Sequence, residues 1–373
     1  MKASSLLKNL EKRGVEKIIG VPDSTLKQFC DGLQTYQGKL EHFCTVNEGA
    51  AVGVAIGSYL GSGKPACVYM QNSGIGNAVN PIASLANKDV YGVPILFLVG
   101  WRGEPGVHDE PQHVFQGKIT CELFEVMQIP YTVIDSATTD EEMDRILDQA
   151  WQTFGENKQY AIIVKKGSFE KEADFKWENG NTLVREQVLG TVLKTLPGDA
   201  VIVSTTGKIS RELYEQSDLL FGNHEKIFMT VGGMGHASMI AFGVAKARPD
   251  KKVVCIDGDG AALMHMGSMA FLAENAPENF YHIVINNQAH ESVGAMPTDC
   301  QDISFAKVAE TLGYRLAKRM TTMEEVEQIG TLIDQNPGPI LMEIPVNLEV
   351  RADLGRPKET AAENKFSFMA NLS

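Results

Sequence analysis

The chain has 373 residues, of which 43% are hydrophobic and 22% charged, and its formal net charge is −13. This composition is typical of a folded globular protein with room for two domains. The acidic charge argues against a nucleic-acid partner, because a phosphate backbone is bound by a basic surface. No apolar run reaches membrane-spanning length, and the six cysteines form no Cys-x-x-Cys pair, so we expect a soluble cytoplasmic protein with free thiols.

Helical segments alternate with short apolar strands in two series along the chain. The first series has predicted strands at 17–21, 43–46, 66–70, 94–99 and 160–165, and the second at 200–204, 226–231, 253–256, 281–285 and 339–344. This alternation predicts an α/β fold with two doubly wound parallel-sheet domains. A polar stretch at 169–181 separates the series, so we place the domains at 1–180 and 181–373. The polar tail over 351–373 is predicted to be an arm or a partly ordered extension.

Glu48 follows the predicted strand at 43–46 and begins a helix rich in small residues. A glutamate in the first turn of a helix is commonly explained by its favourable interaction with the helix dipole. A partly desolvated carboxyl group at this position would also keep its proton more readily, which suits a general acid. Taken alone, Glu48 leaves both interpretations open.

A glycine-rich loop, Val231-Gly232-Gly233-Met234-Gly235-His236, follows a predicted strand of the second series. A dinucleotide-binding loop is the alternative, but Ser238 stands where its third glycine belongs. A P-loop is excluded as well, because Gly63-Lys64 is followed by Pro65 and Gly207-Lys208 by Ile209 instead of serine or threonine.

The strongest signal is Gly258-Asp259-Gly260 together with Asn286-Asn287, since each follows an apolar strand. Parallel strands would bring the Asp259 carboxylate and the Asn287 amide to one edge of a sheet. Such oxygens, with the carbonyl of Ala289 as a third protein ligand, suit Mg²⁺. Gly258 and Gly260 allow a close approach of the backbone, and the N–H groups of Gly260 and Ala261 would bind a diphosphate.

With these motifs the chain resembles the thiamine diphosphate-dependent decarboxylases over nearly its whole length. Within them it is most similar to the compact enzymes that act on phosphonopyruvate or sulfopyruvate, which lack a middle domain. The shared phrases are Gly20-Val21-Pro22-Asp23-Ser24, Gln71-Asn72-Ser73-Gly74-Ile75-Gly76-Asn77, Asp109-Glu110-Pro111-Gln112-His113, Thr206-Gly207-Lys208-Ile209-Ser210-Arg211-Glu212-Leu213 and His290-Glu291-Ser292-Val293-Gly294.

The resemblance implies a pyrimidine-binding domain at 1–180 and a diphosphate- and metal-binding domain at 181–373, with thiamine diphosphate and Mg²⁺ as cofactors. Glu48 would contact the aminopyrimidine ring, and Met234 would hold the two cofactor rings in a bent arrangement. The remaining expected cofactor contacts are Gln71, Asn72, Ser73, Gly207 and Gly232. Because Glu48 and Asp259 lie in different domains, the resemblance also implies a homodimer or higher homo-oligomer with active sites between subunits.

The implied reaction is decarboxylation of a 2-oxo acid, most specifically of 3-phosphonopyruvate to phosphonoacetaldehyde in phosphonate biosynthesis. The alternatives are a sulfopyruvate decarboxylase, a carboligase of the acetolactate synthase type, a nicotinamide-dependent oxidoreductase and a non-catalytic binding protein. Candidates for proton transfer or substrate contact are Ser24, His108, His113, His290 and Glu291. Arg102 and Lys118 bracket the histidines and are the favoured cations for the phosphonate, with Lys208 and Arg211 as further candidates.

Overall fold

The computed structural model describes residues 1–372, without the side chain of Ser292. The chain divides into two compact units by its internal contacts. The first unit contains residues 1–177 and the segment 290–299, and the second contains residues 178–289 and 300–372. The segment 290–299 thus belongs to the first unit, although it follows a strand of the second unit in sequence.

The first unit alternates helices and strands in the manner expected of a doubly wound fold. In chain order its elements are α1 (Ala3–Lys12), β1 (Lys17–Gly20), α2 (Lys27–Thr35), β2 (Glu41–Cys44), α3 (Glu48–Ser62), β3 (Ala66–Gln71), α4 (Ile75–Pro81), β4 (Ile95–Gly100), α5 (Pro111–Val126), β5 (Tyr131–Ile134), α6 (Asp140–Phe154) and β6 (Tyr160–Val164). Short helical turns at Asn72–Gly74 and Ile82–Ala86 flank α4.

The six strands of this unit form one parallel sheet in the order β2-β1-β3-β4-β6-β5. Both faces of the sheet are covered. Alternate residues of a strand point to opposite sides, so their side chains show what packs on each face. In β4, Leu96 and Leu98 join one apolar cluster, while Phe97 and Val99 join another on the other face. Burial on both faces explains why this strand is a continuous apolar run.

The second unit repeats the pattern. Its elements are α7 (Arg185–Thr195), β7 (Ala200–Ser204), α8 (Lys208–Phe221), β8 (Ile227–Met229), α9 (Ala237–Ala247), β9 (Lys252–Gly258), α10 (Asp259–Met264), α11 (Gly267–Asn275), β10 (Phe280–Asn286), α12 (Phe305–Leu312), β13 (Leu316–Arg319), α13 (Met323–Val326), α14 (Ile329–Gln335), β14 (Ile340–Pro345) and α15 (Ala361–Leu372). Two-residue strands β11 (Ala289–His290) and β12 (Met296–Pro297) pair with each other between β10 and α12.

The second sheet is also parallel, in the order β8-β7-β9-β10-β14-β13. Numbered within its own unit, each sheet therefore has the strand order 2-1-3-4-6-5. The expected fold class, two doubly wound α/β units without a middle domain, is confirmed. Among residues 1–372, no helix combines the length and apolar character needed to cross a membrane.

The structure differs from the expected elements in two respects. The edge strands β5 and β13 were not predicted, because half-exposed edge strands lack a continuous apolar run. The polar tail at 351–373, for which an arm or a partly ordered extension was predicted, contains the helix α15 over Ala361–Leu372. The buried side chain of Asn364 anchors α15 to β8 by accepting from Met229 N at 3.0 Å and donating to Ile227 O at 2.9 Å.

Candidate active site

In each unit most of the predicted site residues follow the carboxyl ends of the first four strands. In a doubly wound sheet the chain reverses its winding between the first and third strands, and ligands bind outside the strand ends at that point. In the first unit, β1 leads to Asp23 and Ser24, and β3 leads to Asn72. In the second unit, β9 leads to Asp259, and β10 leads to Asn287.

Glu48 is the first residue of α3 and is only 5% exposed. Asn47 precedes it as the helix cap, accepting from Ala50 N at 2.8 Å, so capping does not require the Glu48 side chain. Asn77 donates to Glu48 Oε2 at 2.8 Å, and a Cβ atom on Gly74 would overlap the carboxyl group. Burial raises the pKa of Glu48, against the smaller lowering effect of Asn77. The buried position therefore shifts this carboxyl group toward its protonated form.

Asp259 is the first residue of α10 and is also 5% exposed. Burial raises its pKa to about 7, although backbone N–H groups of Gly260, Asn287 and Gln288 act in the opposite direction. Its Oδ2 atom is buried and has no hydrogen-bond partner among the described residues. A buried carboxylate oxygen without a partner costs free energy unless a cation binds it.

Asn287 lies beside Asp259, because Ile285 of β10 pairs with Gly258 of β9. Its Oδ1 atom accepts from Ala289 N at 3.1 Å, and its carbonyl accepts from Asn179 at 2.8 Å. Asn287 and Ala289 are both buried. The structure thus brings together the three predicted metal ligands at the end of two neighbouring strands.

The glycine-rich loop at 231–236 connects β8 to α9 in the same unit. Gly235 has a φ of 88°, and a Cβ atom there would meet His265 Cδ2 at 2.6 Å, so only glycine fits. Gly232 and Met234 are half-buried. Gly207 is the residue before α8, and the neighbouring Thr206 hydroxyl donates to Val231 O at 3.1 Å, which ties this turn to the loop.

The residues after β3 form a hydrogen-bonded chain in the first unit. The amide of Gln71 donates to Asp23 Oδ1 at 2.6 Å and accepts from Ser73 Oγ at 2.7 Å. The Asn72 amide donates to the carbonyl of Arg102 and to the Thr120 hydroxyl, both at 2.8 Å. Asn72 therefore uses both amide hydrogens to fix the loop after β4.

Arg102 is held in a bidentate ion pair with Asp109, in which its Nε donates to Oδ2 at 2.7 Å. Its Nη1 atom donates to Ser24 Oγ at 2.8 Å. Burial acts against ionisation of Asp109, but the Arg102 guanidinium and the Gly103 N–H lower its pKa to about 2. Two predicted site residues, Ser24 and Arg102, are thereby in direct contact.

His113 lies in the first turn of α5, close to this ion pair. Burial and the Arg102 charge lower its pKa to about 4, and its buried Nδ1 atom has no partner among the described residues.

His108 and Lys118 are exposed, and no hydrogen bond of either side chain is observed among residues 1–372. Among the further cations, Arg211 donates to the carbonyls of Leu354 and Gly355 and so holds the segment before α15.

His290 and Glu291, predicted to lie near the reaction centre, follow Ala289 directly in the segment that belongs to the first unit. Burial lowers the pKa of His290 to about 4, so its imidazole is neutral near pH 7. Glu291 is half-buried in a short helical turn.

Sequence reasoning did not single out Asp23, which is completely buried at the end of β1. Its Oδ2 atom accepts from the N–H groups of Thr25 and Leu26 at 3.0 and 3.3 Å, so Asp23 caps the turn that leads into α2. Burial raises the pKa of Asp23, against lowering effects of Gln71 and Arg102. Its position as the first charged residue after an apolar strand is the sequence signal that could have found it.

These residues fit a diphosphate cofactor bound through a divalent cation. In the second unit, Asp259 Oδ2, which has no partner among the described residues, and the neighbouring Asn287 offer hard oxygen atoms that suit a divalent cation. In the first unit, Glu48 is a buried carboxyl group with a raised pKa.

Comparison with known proteins agrees with this assignment. Residues 2–124 match the family model of the N-terminal TPP binding domain of thiamine pyrophosphate enzymes, and residues 219–344 match that of the C-terminal TPP binding domain. The phosphonopyruvate decarboxylase of Streptomyces viridochromogenes is 32% identical, over 99% of this chain and 94% of its own length. That of Streptomyces hygroscopicus is 32% identical over 95% and 90%.

A sulfopyruvate decarboxylase of Methanosarcina acetivorans is 26% identical over 66% of each chain. The similarity to the two Streptomyces proteins extends over both units and exceeds what a shared fold alone would produce. The chain therefore belongs to the thiamine diphosphate-dependent decarboxylases, which are carbon–carbon lyases, in the family that contains the phosphonopyruvate decarboxylases.

Proposed function

We propose that this enzyme decarboxylates 3-phosphonopyruvate to phosphonoacetaldehyde and carbon dioxide, with thiamine diphosphate and Mg²⁺, as a step of phosphonate biosynthesis in the cytoplasm. The cofactor assignment rests on the buried Asp259 Oδ2 atom next to Asn287, which has no hydrogen-bond partner within residues 1–372. The substrate assignment is supported by the two phosphonopyruvate decarboxylases that align with nearly the whole chain.

Asp259, Asn287 and the carbonyl of Ala289 would hold the magnesium ion, and the N–H groups of Gly260 and Ala261 would bind the diphosphate. The cofactor, when bound, supplies the electron sink that decarboxylation of a 2-oxo acid requires. Glu48 would hold its proton against a ring nitrogen of the aminopyrimidine, which the raised pKa of this buried acid favours.

The proposed substrate carries two anionic groups, so a cation has to neutralise part of this charge. Arg102 is the predicted cation that is held in place within the first unit, by Asp109 and Ser24. An anion near Arg102 would also favour protonation of His113, whose unpartnered Nδ1 atom lies in the same region. We propose that Arg102 binds the phosphonate and that His113 exchanges the proton, with Lys118 further out on α5.

A comparison of three substrates tests this assignment. Carbon dioxide release would be measured from phosphonopyruvate, sulfopyruvate and pyruvate, with and without added thiamine diphosphate and Mg²⁺. We expect kcat/KM to be highest for phosphonopyruvate and activity to be lost when either cofactor is omitted. Faster turnover of sulfopyruvate would reassign the substrate, as the Methanosarcina relative suggests. Activity without the cofactors would overturn the proposal.

Replacing Arg102 by lysine should raise KM for phosphonopyruvate by about 10- to 100-fold, because the planar bidentate donor is lost while the charge remains. The KM for pyruvate, which has no distal anion, should change by less than about threefold. Arg145→Lys, on the exposed surface of α6, is the matched control and should change neither value. Equal effects on both substrates would assign Arg102 a role in the loop's stability alone.

We further propose that the enzyme is a homodimer or a higher homo-oligomer with active sites between subunits. Helix α3, which begins at Glu48, has an exposed face of small and apolar residues. On this face no described atom outside the helix backbone lies within 4 Å of a Cβ built at Gly53, Gly57 or Gly61, and Val54 and Leu60 are exposed. A second copy of the chain would cover such a face and remove its apolar surface from water.

Mixing two inactive variants tests the shared site. Glu48→Gln and Asp259→Asn chains, unfolded together and refolded, would form heterodimers in which one site has both wild-type residues. About a quarter of wild-type activity should return if the subunits mix at random and each site uses two chains. Each variant refolded alone is the control. No recovery in a mixture shown to contain heterodimers would place both residues of each site on one chain.

A further inference from the structure

A second cluster of potential metal ligands lies in the interior of the second unit. Cys255 and Asp257 lie on β9, and His282 lies directly opposite Cys255 on β10. Their side chains point to the face of the sheet opposite the apolar cluster that contains Val254 and Ile256. Each of the three residues is at most 1% exposed.

His282 is the unusual member of this cluster. Neither of its ring nitrogens has a hydrogen-bond partner among the described residues. The Oδ2 atom of Asp257 lies 3.6 Å from Nε2, which is longer than a hydrogen bond. A buried polar group without a partner costs free energy, so two such nitrogens on one ring indicate that something else binds at this position.

The arrangement of the ligand atoms is compact enough for one ion. The cysteine sulfur, a carboxylate oxygen and an imidazole nitrogen all lie within 4.8 Å of one another. In a tetrahedral zinc site the metal–ligand bonds of about 2.0–2.3 Å separate neighbouring ligand atoms by about 3.3–3.8 Å. The cluster therefore needs a contraction of at most about 1.5 Å around an ion.

From this geometry we infer that Cys255, Asp257 and His282 bind a thiophilic divalent cation of the Zn²⁺ type. Thiolate and imidazole ligands favour zinc or cobalt over magnesium, which prefers an all-oxygen site. Binding would displace one proton, from the Cys255 thiol, and would require neutral imidazole and ionised carboxylate. The fourth ligand position would be taken by water or by the Tyr314 hydroxyl, which is buried and has no partner within residues 1–372.

This site is separate from the predicted magnesium site, although both depend on β9. Asp257 is followed by Gly258, whose N–H donates to Asp257 Oδ1 at 3.1 Å, and then by Asp259 at the start of α10. An ion held by Asp257 would fix the carboxyl end of β9 and so the position of Asp259. The inference does not depend on the proposed substrate or on the thiamine diphosphate site.

Metal analysis of the purified full-length enzyme tests the inference. The protein would be expressed without a histidine tag, washed with EDTA at pH 7.5 and analysed for bound zinc by mass spectrometry. We expect about one thiophilic ion per chain, and a thiolate-to-metal charge-transfer band after refolding with Co²⁺. Less than about 0.1 ion per chain after refolding with either metal would overturn the inference and leave only water at the cluster.

Variants separate this site from other thiols and from magnesium. Cys255→Ser should abolish the cobalt band, whereas Cys67→Ser, at an equally buried cysteine of β3, should retain it. Asp259→Asn should also retain the band, because that residue is not a ligand of the proposed ion. A band that survives Cys255→Ser would assign the metal to another site. The band is first measured on the unaltered enzyme, so the inference is tested even if a variant misfolds.

Discussion

Replacing Glu48 by glutamine should lower kcat by about 10³-fold, which corresponds to about 4 kcal/mol of transition-state stabilisation. The amide has nearly the same shape but holds no transferable proton, so the contact with the aminopyrimidine would remain without its acid. Burial raises the pKa of Glu48, so ionising this carboxyl group costs free energy in the folded state. Glutamine does not ionise and therefore avoids that cost. We therefore expect the variant to be at least as stable as the wild type at pH 8.

Steady-state kinetics at saturating cofactor, together with thermal unfolding of the same samples, measures both effects. Glu141→Gln is the matched control, since Glu141 lies in the first turn of α6 but is exposed. It should leave kcat unchanged. If Glu48→Gln retained more than about a tenth of wild-type kcat, the residue would be a dipole-compensating glutamate and not an acid.

Much of this site can be predicted from the sequence because its residues follow apolar strands. The amino-acid pattern alone places Asp259 and Asn287 together, since two neighbouring parallel strands end at the same edge of a sheet. The register of β9 and β10 confirms that reasoning. The wholly buried strands, such as β4, are predictable for the same reason, because burial on both faces leaves a continuous apolar run.

What sequence could not provide was the pairing of side chains across distant segments. Nothing in a local pattern indicates that Arg102 pairs with Asp109 and also reaches Ser24, which is far away in the chain. Asp23 was overlooked because a carboxylate after a strand is common, and only its complete burial makes it notable. The contacts of segment 290–299 with the rest of the first unit likewise depend on tertiary packing. One of them is the hydrogen bond that the Cys44 N–H donates to Asp299 Oδ2 at 2.7 Å.

Asp259→Asn should have opposite effects on cofactor binding and on the stability of the cofactor-free protein. In the folded protein the pKa of Asp259 is about 7, against an ordinary value of 3.8. The folded state therefore binds more protons than the unfolded state between about pH 4 and pH 7, and the free energy of unfolding falls as the pH rises through this range. This pKa difference corresponds to about 4 kcal/mol. At pH 8 the cofactor-free asparagine variant should be more stable than the wild type by at most this amount.

With Mg²⁺ and thiamine diphosphate the difference in stability should shift in favour of the wild type, because the cation binds the ionised carboxylate. At concentrations about 100 times Kd the wild type gains about 2.7 kcal/mol by mass action, and the variant, with Kd raised at least about a hundredfold, gains little. Thermal unfolding at pH 5.5 and pH 8, with and without both cofactors, measures all four combinations. Asp250→Asn is the control. Because Arg248 lowers the pKa of that exposed carboxylate to about 2, its replacement should lower the stability at pH 8 and not raise it. A variant that bound magnesium and cofactor as tightly as the wild type would remove Asp259 from the metal site, and the assignment of Asn287 would then lose its main support.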